Sequence, residues 1–405
     1  MNEGVPVTTI STARLRAEIK AEWLQHIVPF WMNLKDEQYG GYYGEVTYEL
    51  ERKHNEPKGG IATARLLWSF AAAYRMTGDP QLAEHAHHAY RFLSGALTDA
   101  EHQGIYWSVD HKGKPLDTRK HVYNQAFAVY ALSEYYRATA TPAALEQAIA
   151  LFELIESVGY DADIGAYREE FDRWWQQQPN EMLSENGVIA DITMNTHIHV
   201  LEAYTTLYRV WQNERVKTAL ERLLIILRHH MYDTEQRRLH VFFDRNWQSL
   251  LDLTSFGHDI EASWLIDEAM QALACQQSEY VDMVQGLADR VAEYAIQPDG
   301  SLINEQEHDH IDRTRIWWVQ AEAMVGFYNA YQRTGDDRFL ERVAGLWNYT
   351  RTHMIDSRPG SEWFWSVGDD EQPGTREIAG LWKCPYHNSR FCIEMMTRID
   401  EMTAE

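Results

Sequence analysis

The sequence predicts an all-α protein, an (α/α)6 barrel of twelve helices with short strands and loops over one face, forming one domain over residues 1–405. Three observations predict it. The stretch Ala73-Tyr74-Arg75-Met76-Thr77-Gly78-Asp79 returns nearly letter for letter as Ala330-Tyr331-Gln332-Arg333-Thr334-Gly335-Asp336, and internal repetition marks a repeat architecture. Helical segments apolar along one stripe alternate with segments apolar over a wide arc, the signatures of outer and buried helices. No Pro- or Ser-rich linker interrupts the alternation.

Taken in order, the first helices of six units fall at roughly 14–33, 80–98, 142–158, 214–231, 278–296 and 337–355. Each carries apolar residues at i, i+3, i+4 and i+7, as in Leu220, Leu223, Leu224 and Leu227. The second helices fall at roughly 60–77, 121–138, 191–211, 258–274, 314–333 and 386–402. The first of these is apolar nearly all round, through Ile61, Ala64, Leu66, Leu67, Trp68, Phe70, Ala71 and Ala72. Gly78 and Gly335 read as the left-handed residues that end two of them, and looser copies of the repeat end helices near Tyr136 and Tyr208. Short strand-like pieces separate the helices of each unit: 41–43, 104–107, 165–167, 240–243, 300–303 and 362–365. Six such pairs close into a ring.

Composition narrows the function. The chain has 405 residues and a formal net charge of −24, so nucleic acid and anionic membranes are poor partners. Three cysteines (Cys275, Cys384, Cys392) without CxxC spacing argue against a disulfide framework or a zinc knuckle. There is no apolar leader and no run of about 18 apolar residues, so the expectation is a cytoplasmic protein, monomer or weak homodimer. Fifteen tryptophans and 22 tyrosines suit a helical core, and also a sugar site where flat rings stack on C–H faces.

If the second helices form the inner ring, their N-terminal ends share one face, and the polar and aromatic residues there should converge on a pocket. Arg65, Tyr123, Asn195, His199, His258, Trp317 and His387 fall there. Pro385 ends an extended approach to the last helix, which Tyr386-His387-Asn388 opens; Gly257-His258-Asp259 opens another in the same way. Other histidines, His85, His87, His88, His229 and His230, read as satisfied core or surface groups. His197 and His199 are two apart and so face different sides of a helix; with no HExxH and no Cys/His cluster, no catalytic metal is expected. Lys58-Gly59-Gly60 lacks dinucleotide spacing, no phosphate loop occurs, and no Gly-x-Ser-x-Gly elbow is present, so no cofactor is expected.

Two chemistries remain. Glycoside hydrolysis needs two carboxylates flanking the bond, for which Asp259, Glu261, Glu322 and Glu185 are candidates. Histidines at helix entrances favour the other, proton transfer at carbon. An imidazole can abstract the proton α to an aldehyde near neutral pH. An arginine can stabilise the resulting enediolate, and a second imidazole can return the proton to the opposite face.

Longer motifs carry a resemblance. Gly257-His258-Asp259-Ile260-Glu261-Ala262, Arg315-Ile316-Trp317-Trp318-Val319-Gln320-Ala321-Glu322-Ala323 and Trp382-Lys383-Cys384-Pro385-Tyr386-His387-Asn388 resemble the cellobiose 2-epimerases, a branch of the N-acylglucosamine 2-epimerase superfamily. Ser184-Glu185-Asn186-Gly187, Met194-Asn195 through His199, and His121-Val122-Tyr123-Asn124 are similar too, so the likeness runs from about residue 14 to about 398. It implies a metal-free, nucleotide-independent barrel that epimerises C2 of the reducing-end glucose of β-1,4-disaccharides, taking cellobiose to glucosyl-mannose and lactose to epilactose. By motif, His258 and His387 resemble the acid/base pair, and His199 a third histidine that assists ring opening or holds the reactive oxygens. Arg65 resembles the enediolate-stabilising group, and Tyr123, Asn195 and Glu261 resemble hydroxyl binders. Trp317, Trp318 and Trp382 resemble stacking platforms, with either of the adjacent pair open to face the sugar. Glu322 stands between a sugar contact and a buried pairing role. The stretch 58–64 departs from the family pattern, while Arg65 itself is kept. Mannose 2-epimerases and mannose–fructose isomerases share the barrel and most of the histidines, and form the alternative within the superfamily.

Overall fold

The computed structural model describes residues 11–183 and 186–404. Six inner helices form a ring: Gly60–Thr77, Val122–Thr139, Met194–Val210, Phe256–Ala272, Trp317–Thr334 and Tyr386–Ala404. Each packs on the next, and the last returns to the first. Outer helices lie against them: Thr12–Glu22 with its continuation Val28–Met32, then Pro80–Ser94, Pro142–Leu154, Glu214–Ile226, Ser278–Tyr294 and Asp337–Tyr349. The inner helices are buried on most of their surface, as their wide apolar arcs require; Val122–Thr139 is buried from Val122 through Tyr135 without a break.

The repeated heptapeptide is a corner between an inner and an outer helix. Thr77 donates its hydroxyl to Ala73 O, Gly78 takes φ 69°, and Asp79 accepts from Gln81 N to cap the next helix. Thr334, Gly335 and Asp336 repeat those bonds with Ala330 and Arg338. The looser copy at Tyr136 uses the same turn with Ala140 at φ 56°, a position where a Cβ is strained.

Two kinds of β-pairing tie the units together. Each outer helix runs into a small hairpin: Lys35 pairs with Tyr42, Thr98 with Ile105, Tyr160 with Tyr167, Tyr232 with Leu239, Ile296 with Leu302, and Ile355 with Trp363. An aspartate at most of these turns, such as Asp36, Asp99, Asp233 and Asp356, accepts from backbone N–H groups two or three residues on. The second kind links neighbouring units. Lys58–Gly59 pairs with Ser108–Val109, Lys120–His121 with Glu170–Phe171, Ile192–Thr193 with Phe242–Phe243, Leu253–Ser255 with Glu305–Glu307, and Arg315–Ile316 with Ser366–Val367. Val46 on Ala379 closes the circle. The piece expected as one strand at 240–243 is therefore divided. His240 still bonds to its own hairpin, donating its N–H to Met231 O, while Phe242–Phe243 reaches the previous unit.

Several boundaries differ from expectation for the same reason. The helices expected from 191 and 314 begin at Met194 and Trp317, because the preceding residues are hydrogen-bonded as strands. The helix expected from 258 begins at Phe256, so His258 is its third residue, whereas His387 is the second of its own. The two imidazoles thus stand one position apart. The outer helix expected to reach 98 stops at Ser94, where Gly95 leaves helical geometry. Among the described residues no helix is long and apolar enough to cross a membrane.

Candidate active site

At the N-terminal mouth of the inner ring lies a cavity of about 510 Å³. Arg65, Tyr123, Asn195, His199, His258, Glu261, Trp317, Trp318, Trp382 and His387 all line it. The reason is periodicity. Asn195 and His199 are four apart and share a helix face, and Tyr123, Trp318, Arg65 and Glu261 occupy the same second or sixth places of their helices.

Each cavity histidine has Nδ1 engaged. His199 Nδ1 lies 2.9 Å from Glu202 Oε2, His387 Nδ1 2.7 Å from Glu322 Oε1, and His258 Nδ1 2.7 Å from Ser255 Oγ. Nε2 is therefore the nitrogen each ring can offer to a ligand. Burial and the neighbouring His199 push the His258 pKa down to about 3. Burial, with Arg65 and Arg390 nearby, pushes His387 well below the ordinary imidazole value.

Behind the histidines is a charge cluster centred on Arg390, which is fully buried. Its Nη1 donates to Glu202 and Tyr386, and its Nη2 donates to Glu261 and, at 2.6 Å, to Glu322. The carboxylates divide accordingly. Glu202 is held down at about 2, because Arg390 and His199 overcome its burial. Glu261 is pushed up to about 7 by burial and by the neighbouring Glu322, and Glu322 likewise to about 7 by burial. One guanidinium cannot neutralise three carboxylates, so two of them hold protons more tightly.

Glu322 does not line the cavity. It is wholly buried, holding His387, Arg390 and, at 3.2 Å, Trp264 Nε1. Of the two roles open to it in the sequence, the geometry gives it the pairing one. Trp318 lies with its ring 4.8 Å from that of His258 and 5.5 Å from that of His387, while Trp317 packs on Trp365 at 4.5 Å. Gly257 makes room for Trp318: a Cβ there would come within 2.6 Å of the indole. Arg65 donates to Tyr123 Oη at 2.8 Å and lies over Phe127 at 4.3 Å. It stays charged despite its burial.

The segment that delivers His387 is pinned from behind. Lys383 Nζ and Glu362 Oε2, both fully buried, are 2.5 Å apart, and Glu362 also accepts from Asn388. On the ligand side, Arg65 Nε, Asn195 Oδ1, Glu261 Oε2 and Trp317 Nε1 are buried with no hydrogen-bond partner among the described residues. Buried polar groups rarely go unpaired, and a polyhydroxylated ligand would pair these.

His197 and Asp259 belong elsewhere. His197 accepts from Tyr167 N and engages Thr193 O, and Asp259 accepts from Leu239 N; Gln125 and Gln320 grip Ile105 and Leu302 in the same way. The fourth residue of these four inner helices is thus a clamp on a hairpin. The other histidines set apart in the sequence have core or surface partners, His88 with Gly41 O and His230 stacked on Trp247. Glu261, Glu322 and His387 have ligand atoms within 4.8 Å of one another, a spacing that could hold a metal ion. The Arg390 guanidinium already occupies the cationic place between those carboxylates. Ser184 and Glu185 lie outside the described residues.

Sequence reasoning passed over Ser255, Glu202 and Arg390. Glu202 carried a signal, since it stands three residues after His199 and so on its helix face. Arg390, three after His387, carried the same one. Ser255 carried none, since it lies ahead of the helix expected from 258. Asn186, Asn304, Glu305, Arg376 and Trp365 also line the cavity, all from loops or strands whose direction no periodicity specifies.

The chain is similar to the cellobiose 2-epimerase of Ruminococcus albus, at 45% identity over 385 residues that cover 94% of this chain and 98% of that protein. The solved cellobiose 2-epimerase of Bacillus thermoamylovorans superposes with a TM-score of 0.94 at 53% identity, covering 95% of this chain and 100% of that one. That of Spirochaeta thermophila gives 0.92 at 41%, covering 97% and 98%. The N-acylglucosamine 2-epimerase (GlcNAc 2-epimerase) family model matches residues 41–390, and the chain belongs to that family.

Proposed function

We propose that this chain epimerises C2 of the reducing-end glucose of β-1,4-linked disaccharides, converting cellobiose to glucosyl-mannose and lactose to epilactose; its relatives are named for 2-epimerisation of cellobiose. The observation that carries the reading is two imidazoles on one cavity, each with Nδ1 held and Nε2 left to the ligand, beside a charged arginine. The sugar ring opens, with His199 assisting at the oxygens. One of His258 and His387 takes the C2 proton, and the electron pair moves into the C1 carbonyl to give an enediolate that Arg65 stabilises. The other histidine returns a proton to the opposite face of C2. Tyr123, Asn195 and Glu261 hold hydroxyls, and Trp318 and Trp382 give the sugar its stacking faces, with Trp317 bracing them. No cofactor enters these steps. The reaction runs in the cytoplasm on free sugar, without nucleic acid or membrane, in a monomer or weak homodimer.

Hydrolysis fits less well. Of the carboxylates weighed for it, Asp259 and Glu322 stand off the cavity, and Glu261 is turned to Arg390. Proton NMR in D2O on chelator-treated protein tests the reading. Deuterium at C2 with glucosyl-mannose formed from cellobiose is the expected result. Conversion of mannose alone would move the assignment to the monosaccharide branch, and free glucose from cellobiose would overturn it. His258→Ala and His387→Ala should each abolish C2 exchange with far-UV circular dichroism unchanged.

A further inference from the structure

Ser255 occupies the N-cap of the helix Phe256–Ala272, yet its side chain does not cap it. In two other inner helices the residue at that place does cap: Thr193 accepts from Thr196 N, and His121 accepts from Tyr123 N. Ser, like Thr, is a strong N-cap residue, so the diversion of its hydroxyl to His258 Nδ1, 2.7 Å away, is specific to this unit. The backbone beneath it is fixed. Leu253, Thr254 and Ser255 pair with Glu307, Gln306 and Glu305, and Ser255 is buried at the cavity wall.

The partner also differs in kind from those of the other two cavity histidines. His199 and His387 each face a carboxylate, Glu202 and Glu322. A carboxylate behind an imidazole stabilises the imidazolium; a hydroxyl holds the ring without supplying a countercharge. His258 is therefore the cavity histidine whose Nδ1 partner brings no carboxylate, and its neighbour His199 is a second imidazole rather than an acid.

We propose that Ser255 is a positioning residue for His258: its hydroxyl accepts the Nδ1–H and thereby presents an unprotonated Nε2 to the cavity, making His258 the uncharged base of the pair. The inference rests on the epimerase reading for its kinetic consequence but not for its tautomer. In the tautomer fixed this way, Nε2 carries the lone pair that accepts the C2 proton, and Ser255 keeps its own proton throughout.

The test joins two measurements on the full-length protein. Ser255→Ala should lower kcat for cellobiose epimerisation by about 10- to 100-fold, the usual loss on removing an orienting partner, with KM within about twofold. Ser255→Thr, which keeps the hydroxyl, should recover most of the rate. Nitrogen-15 spectra of the histidine side chains, assigned with His258→Gln, should show His258 neutral at pH 7 with Nδ1 protonated. In Ser255→Ala a second population protonated at Nε2 should appear. A wild-type His258 found protonated at Nε2 or cationic would overturn the inference, as would a Ser255→Ala enzyme with unchanged kcat. If Ser255→Ala does not fold, the wild-type spectrum and Ser255→Thr decide. Absence of C2 exchange in the wild type would instead sink the epimerase reading, and the spectrum would still judge Ser255.

Discussion

At the scale of single residues, the site separates groups that line the cavity from groups that hold them. Glu322 is of the second kind, and Glu322→Gln keeps its shape while weakening its hold on His387. A loss in kcat of about 10- to 100-fold is expected, with a thermal midpoint that changes little because Arg390 retains Glu202 and Glu261. Steady-state kinetics beside a melting curve checks both. Asp259 makes a prediction about pH. Burial pushes its carboxyl up to about 7, while it accepts from Leu239 N through Oδ1. Below an ordinary carboxyl pKa the side chain is protonated folded and unfolded alike, and its contribution is fully present. As pH rises to about 7 the unfolded chain releases the proton and the folded one retains it, so stability falls. Asp259→Asn should therefore melt progressively higher than the wild type between pH 4 and 7, with a constant gap above. A gap that narrows over that range would refute the account.

The residues that could be read from the sequence were those whose place follows from position along a helix. Arg65, Tyr123, Asn195, His199 and Trp318 converge because a helix repeats every three to four residues and six helices open on one mouth. Their holders were hidden because hydrogen bonds across a ring ignore sequence distance: Glu322 and His387 are 65 residues apart, and Tyr386 and Glu202 are 184 apart. Ser255 was concealed differently. Local rules assign it a cap, and only the completed packing shows the hydroxyl used elsewhere.

At the scale of elements, helix interiors were legible, while the first turns were legible only where strand pairing takes no residue expected as helix. The inner helix Gly60–Thr77 falls where its pattern puts it, yet the helices at Met194 and Trp317 start three residues late because strand pairing takes the approach. The periodicity of a helix is blind to a two-residue strand. The corners obey more local chemistry, and one of them is imperfect. Ala140 takes the left-handed place that Gly78 and Gly335 fill, and it is exposed. Ala140→Gly should stabilise the protein by about 1 kcal/mol, the cost of a Cβ in that region, offset in part by the greater freedom of the unfolded chain. Urea denaturation measures it, and an unchanged or lower midpoint would show that the strain has been relieved by other means.

At the scale of the molecule, closure unites the site. Its walls come from the helix starting at Gly60 and the one starting at Tyr386, which meet across the seam where Val46 pairs with Ala379. Arg65, at one side of that seam, lies over the ring of Tyr386 at the other, 4.8 Å away. Arg390 then reaches back to acids on three other inner helices, Glu202, Glu261 and Glu322. The cluster therefore joins four helices, and replacing Arg390 with Met would leave three buried carboxylates facing one another. A loss of about 3–5 kcal/mol is expected, as for other buried pairs broken from one side, and the loss should shrink at acid pH as the carboxylates protonate. Chemical denaturation at pH 7 and pH 5 checks both parts.

The ring also brings residues from opposite ends of the chain together: Arg16 grips Asp400 through two hydrogen bonds of 2.6 Å. The Thr-Gly-Asp corners follow the C-terminal ends of the inner helices, whereas the cavity opens at their N-terminal ends. Order along the chain is thus separable from arrangement in space. A gene rewritten to join the two ends by a short flexible linker, and to begin instead at the corner after Gly335, should yield a circular permutant that rebuilds the same cavity from a different starting point.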